Sequence, residues 1–174
     1  MTDAKGSEIR GIDAGPVSAW LEGHVDGARA PFSFLPIEGG HSNLTYRVVD
    51  GEGKAFVLRR PPLGAVLKTA HDMAREFRII SGVGPTTVPV PPALDLCEDD
   101  SVNGAPFYVM GFVDGTVLFD AGTAEEAVAL DNRPRTSASV VRILADLHAV
   151  DPDEVGLGTL GKKEDYLKRQ LRRW

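Results

Sequence analysis

The pattern of apolar and polar positions divides the chain into a strand-rich part and a helix-rich part, with the change near Gly115. A short apolar run at residues 32–38 meets Gly39-Gly40-His41-Ser42, and an alternating run follows over 43–50. That pattern predicts a strand, a tight loop and a second strand. Alternation places Leu44, Tyr46 and Val48 on one face of the second strand and Thr45, Arg47 and Val49 on the other. Asp50-Gly51-Glu52-Gly53 predicts a hairpin turn. Ala55-Phe56-Val57-Leu58-Arg59 predicts a third strand, ending at Arg59-Arg60 and stopped by Pro61-Pro62.

Around this core the remaining elements fall in order. Residues 1–12 are polar and read as a loose end. Pro16 at a first helical position, followed by Val17, Trp20 and Leu21, predicts a short helix to His24. Residues 64–69 read as a loop. Met73, Phe77 and Ile80 form the stripe of a helix over 70–81, ended by Gly82 and Gly84. Two more strands are expected over 93–97 and 106–113, joined by the acidic turn Glu98-Asp99-Asp100. Beyond Gly115, Thr123-x-x-Glu126 reads as a capping box. A helix follows over 137–149, broken by Asp151-Pro152, and a last helix over 163–174. The expected fold class is α+β: a five-stranded antiparallel sheet with one helix inserted after the third strand, then helices. Residues 1–115 and 116–174 form the two expected domains.

Composition removes several classes. The chain has 174 residues with 43% hydrophobic and 25% charged content, an ordinary globular balance. Its net charge of −6 offers no broad attraction to nucleic acid or anionic membrane. No apolar run approaches the roughly 18–20 residues that span a bilayer, and the first residues do not read as a signal peptide. The single cysteine, Cys97, has no internal partner and reads as a buried, inert thiol in a reducing cytosol. The basic tail residues Lys162, Lys163, Lys168, Arg169, Arg172 and Arg173 read as a solvated helix face. No His/Cys cluster has metal-ligand spacing, and no glycine-flanked serine suggests a hydrolase. His148 reads as a helix-end residue favoured by the dipole.

The candidate chemistry lies between residues 34 and 76. A glycine-turn hairpin, a strand cation and a helix acid, in that order, can hold a nucleoside triphosphate. Gly39, Gly40, His41 and Ser42 would cover the phosphates, since glycines let main-chain N–H groups approach them. Alone, the same stretch also reads as a plain turn shaped by His41 and Asn43. Arg59 shares a face with Val57 and is the candidate cation, able to bind phosphate as a fork. Arg60 lies on the opposite face and reads as solvated. Glu76 is the candidate partner of Arg59; its bland alternative is an exposed pairing with Arg75 or Lys68.

Several phrases together carry a resemblance: Gly39-Gly40-His41-Ser42-Asn43-Leu44-Thr45-Tyr46, Phe56-Val57-Leu58-Arg59-Arg60-Pro61-Pro62, Arg75-Glu76-Phe77-Arg78, Phe107-Tyr108-Val109-Met110 with Gly115, Leu147-His148-Ala149-Val150-Asp151, and the stretch from Tyr166 to Trp174. The chain resembles the aminoglycoside phosphotransferase/choline kinase superfamily. Within it, the chain looks most like the branch of bacterial phosphotransferase-family proteins related to the kinase-like domain fused to some acyl-CoA dehydrogenases. The resemblance implies a protein-kinase-like small lobe followed by the first helices of a truncated helical lobe. It implies ATP, or another nucleoside triphosphate, with Mg²⁺, and a small-molecule hydroxyl as acceptor. It also implies that Met110 lines the adenine pocket and that backbone groups of Gly111, Phe112 and Val113 pair with the base edge.

The family places its catalytic aspartate in a His-Gly-Asp loop with asparagine five residues after the Asp. His24-Val25-Asp26 has Pro31 at that position, and His71-Asp72 has Phe77. Asp114-Gly115 lies too early for the metal site. The chain therefore reads as the N-terminal half of a phosphotransferase, without the catalytic base or metal ligands, and inactive alone. Its partners would be a nucleotide, an unknown acceptor and a chain supplying the rest of the helical lobe. The alternative is a non-catalytic nucleotide-binding or interaction remnant of such an enzyme.

Overall fold

In the computed structural model, which describes residues 9–37, 42–64, 71–162 and 164–172, five strands form one antiparallel sheet. They are β1 (Ser33–Pro36), β2 (Leu44–Val49), β3 (Ala55–Arg60), β4 (Ala93–Cys97) and β5 (Phe107–Gly111), in spatial order β1-β2-β3-β5-β4. This is the α+β arrangement expected from the sequence. The packing separates two units, one within Met1–Ile80 and Pro91–Val113, the other within Ser81–Val90 and Asp114–Trp174.

The first unit is built around the two faces of the sheet. On one face, Tyr46, Val48, Phe56, Leu58, Phe107 and Val109 are buried against Val17 and Leu21 of α1 (Ala14–His24). Phe56, Leu58, Val17 and Leu21 are almost wholly removed from water. Each such side chain contributes about 1.5–3 kcal/mol of transfer free energy, which makes α1 integral to the unit. Trp20 adds an edge-on contact with Phe107, ring centroids 4.9 Å apart. The turn after β2 is organised by Asp50, whose carboxylate accepts from the backbone N–H groups of Glu52 and Lys54, with Arg29 more distant.

The opposite face carries Thr45, Arg47, Val57, Arg59, Tyr108 and Met110, as the registers require. Onto it packs α2 (Met73–Val83), the inserted helix. Met73 is buried, and Phe77 lies 6.1 Å from the Tyr108 ring. The expected start at residue 70 lies outside the described residues. Asp72 is the cap: its side chain accepts from the Arg75 N–H at 2.9 Å and its carbonyl from that of Glu76 at 3.0 Å.

The structure departs from the expected elements at several places. Glu98-Asp99-Asp100 is not a simple turn: Asp99 caps a one-turn helix, α3 (Asp100–Asn103), by accepting from the Ser101 N–H. Gly82 does not end α2 but lies inside it. In the second unit, a Cβ there would stand 2.8 Å from the Val155 carbonyl oxygen, so a close approach explains the glycine. Finally, Arg60 is buried rather than solvated.

The second unit is helical. Its capping box sits three residues earlier than expected: Asp120 accepts from the Thr123 N–H, and the Thr123 hydroxyl accepts from the Asp120 N–H. It opens α4 (Ala121–Ala127). A single 3-10 turn (Leu130–Asn132) leads into α5 (Arg133–Ala149), which starts four residues before the expected position because Pro134 suits a first turn. The last helix, α6, is Tyr166–Leu171, while Lys163, Arg173 and Trp174 lie outside the described residues. Among the described residues no helix is long and apolar enough to cross a membrane.

Candidate functional site

The charged cluster of the sheet's second face is built from β3, β2, β5 and the first turn of α2. Strand alternation turns Arg59 to the face on which α2 packs, and the Asp72 cap fixes the phase that turns Glu76 back toward it. Arg59 Nε donates to Glu76 Oε2 at 2.9 Å. Tyr108 donates its hydroxyl to the same oxygen at 3.2 Å, and Asn43 Nδ2 donates to Oε1 at 2.9 Å. Both carboxylate oxygens are therefore held. The His71 Nδ1 lies 2.6 Å from Asn43 Oδ1. Because that oxygen can only accept, the imidazole proton sits on Nδ1.

The guanidinium geometry has a chemical consequence. Arg59 engages Glu76 side-on through Nε, and its Nη1 donates to the Thr45 hydroxyl at 3.3 Å. The Nη2 edge makes no bond to a described residue. A forked edge of this kind suits phosphate oxygens, and the carboxylate behind it fixes its direction. Burial raises the Tyr108 hydroxyl well above its ordinary pKa, the Glu76 charge adds to this, and Arg59 opposes it. Tyr108 thus remains a neutral donor to Glu76.

Arg60, one residue on, does something different. It is 5% exposed. Its Nε donates to the Pro61 carbonyl, and its Nη1 to the carbonyls of Gly11 and Asn103. Asn103 is the last residue of α3, whose unpaired carbonyls attract a cation. Burial lowers the Arg60 pKa, with the Tyr46 hydroxyl opposing. Arg60 is a strut between the N-terminal segment, β3 and α3.

At the other end of the strip, Met110 is half-buried on β5 opposite Val57, and Val113 is exposed. The Gly111 N–H donates to the Pro92 carbonyl at 2.8 Å, so it is already engaged; the N–H groups of Phe112 and Val113 have no such partner among the described residues. The Arg47 guanidinium lies 4.7 Å from the Phe112 ring centroid. Of the expected glycine turn, Gly39, Gly40 and His41 lie outside the described residues, and Ser42 is exposed. Among the described residues, no group of three His, Cys, Asp or Glu is placed to hold a metal.

The structure thus brings Arg59 and Glu76 together and puts Met110 and Gly111 farther along the same sheet, with Phe112 just past the end of β5. Sequence reasoning missed Asn43, Thr45, His71 and Tyr108. The signal for Thr45 and Tyr108 was present, since both share Arg59's face by register. Asn43 and His71 meet across a separation of 28 residues that no local pattern reveals.

The sequence pattern of the phosphotransferase enzyme family matches residues 33–174. The chain is 38% identical over 150 residues to "Probable acyl-CoA dehydrogenase IBR3" of Arabidopsis thaliana, covering 83% of this chain and 18% of that one. It is 36% identical to the mouse "Acyl-CoA dehydrogenase family member 10", covering 83% and 13%. Among solved structures it is similar to a "putative aminoglycoside phosphotransferase" from Ralstonia eutropha. The TM-score is 0.77 at 34% identity, covering 93% of this chain and 46% of that chain. The chain therefore spans less than half of that structure and under a fifth of these relatives.

Proposed function

The chain belongs to the phosphotransferase enzyme family, and from that premise we propose that it binds ATP, or another nucleoside triphosphate, for phosphoryl transfer to a small-molecule hydroxyl. The observation that carries this reading is the Arg59–Glu76 pair, 2.9 Å apart and held on the carboxylate side by Asn43 and Tyr108. Phosphoryl transfer asks little covalent work of the protein; it asks that the phosphates be held and their charge offset. Arg59 would supply the fork to the phosphates and Glu76 would aim it. Gly39, Gly40, His41 and Ser42 would cover the phosphates, and Met110 with the backbone of Phe112 and Val113 would receive the base. Mg²⁺ would accompany the nucleotide. The acceptor class is an aminoglycoside, a choline-like alcohol or a hydroxyacyl compound. The buried Cys97 thiol fits a reducing compartment such as the cytosol.

A second reading, a nucleotide-binding module that works with a partner chain, draws on the second unit. There Val140, Leu144, Leu167 and Leu171 are 50–79% exposed, the kind of apolar surface that marks an interaction site.

A thermal-shift titration of the chain with MgATP tests the first reading, with Arg59→Ala as control. A ligand that binds only the folded form raises its melting temperature. A rise with nucleotide that Arg59→Ala abolishes is the expected result; no shift at millimolar nucleotide would count against it. Binding without transfer to any hydroxyl acceptor would favour the second reading.

A further inference from the structure

The second face of the sheet is organised in rows, and the row next to the Arg59 cluster contains an unexplained cation. Thr45, Arg59, Tyr108 and Leu96 are register partners across β2, β3, β5 and β4. Two residues along, Leu35, Arg47, Val57, Met110 and Ala93 make a second row across all five strands. At about 3.3–3.4 Å per residue the two rows lie roughly 7 Å apart. The second row is otherwise apolar, and Leu35, 51% exposed, carries it to the sheet edge. A planar ligand group attached to phosphates held at Arg59 would fall on this row.

Arg47 stands second from the edge of that row, between Leu35 and Val57. Its side chain has no ion pair or hydrogen bond to a described residue; its guanidinium carbon lies over the face of Phe112, 4.7 Å from the ring centroid. Phe112 is two residues beyond Met110 and so extends the same face. A guanidinium laid on an aromatic ring keeps its other planar face for a second π-system. Val57, directly opposite Arg47, is only 6% exposed, so a base reaching this row meets the Arg47–Phe112 pair before the strand beneath.

We infer that Arg47 is a specificity-determining residue of the nucleotide site: its guanidinium, backed by Phe112, stacks on the base of a purine nucleoside triphosphate. This rests on the nucleotide-binding reading above and adds to it the residue that distinguishes a nucleotide from bare polyphosphate. A purine is the class expected, because its two fused rings cover the guanidinium plane more fully than a pyrimidine. Lysine at this position would keep the charge but lose the plane.

The test measures, by calorimetry on the full chain, the affinities of MgATP and of magnesium tripolyphosphate, which lacks a base. Wild type, Arg47→Ala, Arg47→Lys and Arg59→Ala are compared, and unliganded melting temperatures are recorded for each. The expected result is that Arg47→Ala weakens MgATP about tenfold and leaves tripolyphosphate within twofold. Arg47→Lys does not restore ATP affinity, and Arg59→Ala weakens both ligands. If Arg47→Ala changes both ligands equally or neither, or if lysine restores ATP binding, the inference is wrong while the nucleotide reading stands. If wild type binds neither ligand, both fall together.

Discussion

Asn43 Nδ2 stands 2.9 Å from Glu76 Oε1, so the residue that leads into β2 is tied directly to the acid of α2. Its own Oδ1 is held in turn by His71, at the entry to the helix. Glu76 therefore has one oxygen held by Asn43 and the other shared by Arg59 and Tyr108. Such an arrangement fixes the carboxylate before any ligand arrives, and with it the direction of the Arg59 fork.

The Asn43–Glu76 contact allows a charge test. Asn43→Ala removes two hydrogen bonds from a buried position and should cost about 1–2 kcal/mol. Asn43→Asp puts a second carboxylate against Glu76 and should cost more at pH 7, because like charges this close disfavour joint ionisation. Its deficit relative to Asn43→Ala should shrink as the pH falls toward about 4, where carboxylates protonate. Urea denaturation of both variants across pH measures this.

Arg59 and Arg60 are adjacent cations with opposite roles. Arg60→Ala strips donors from the carbonyls of Gly11 and Asn103 and empties a buried volume. It should destabilise the chain by about 2–4 kcal/mol. Arg59 is half-buried and shares its carboxylate with two other donors. Arg59→Ala should cost roughly 1 kcal/mol and act mainly on nucleotide binding. Denaturation midpoints for the two variants, set beside their nucleotide affinities, separate the roles.

Alkaline pH should unfold the first unit through its buried phenols. Tyr108 is raised above its ordinary 10.0 by burial first and the Glu76 charge second, and Tyr46 is also raised, by burial. A group with a raised folded pKa contributes stability that is complete below the unfolded value and lost as the pH climbs past it. Melting temperature should therefore fall as the pH rises above about 10. Tyr108→Phe should flatten that fall, at a cost near neutral pH of about 1 kcal/mol for the lost bond to Glu76.

Gly51 is held to glycine by a close approach. A Cβ there would stand 2.5 Å from the Ala30 carbonyl oxygen, a backbone atom that cannot swing aside. Gly51→Ala should cost about 1–3 kcal/mol, whereas Gly53→Asn, at φ +86° with open space around it, should cost less. Thermal melts of the two variants decide this.

The sheet and the helix after its third strand were legible because period-two alternation and the Met73 stripe are local signals. So was the pair Arg59 and Glu76, since strand phase and helix order gave each its side. Arg60 was not legible: its burial depends on carbonyls 49 and 43 residues away, and alternation alone assigns it to whatever covers the other face. The Asp120–Thr123 box was missed because Asp and Thr are both good caps and the pattern admits either start. α3 has only four residues, too few for a period to appear.

The proposed grip of Arg59, aimed by Glu76, on the phosphates of a nucleotide is tested most directly by a double-mutant cycle on MgATP affinity. Arg59→Ala and Glu76→Gln should each weaken binding tenfold or more, and the double variant should be no worse than the poorer single one, since the two act as a unit. Wild-type affinity in Arg59→Ala, or losses that simply add, would contradict it.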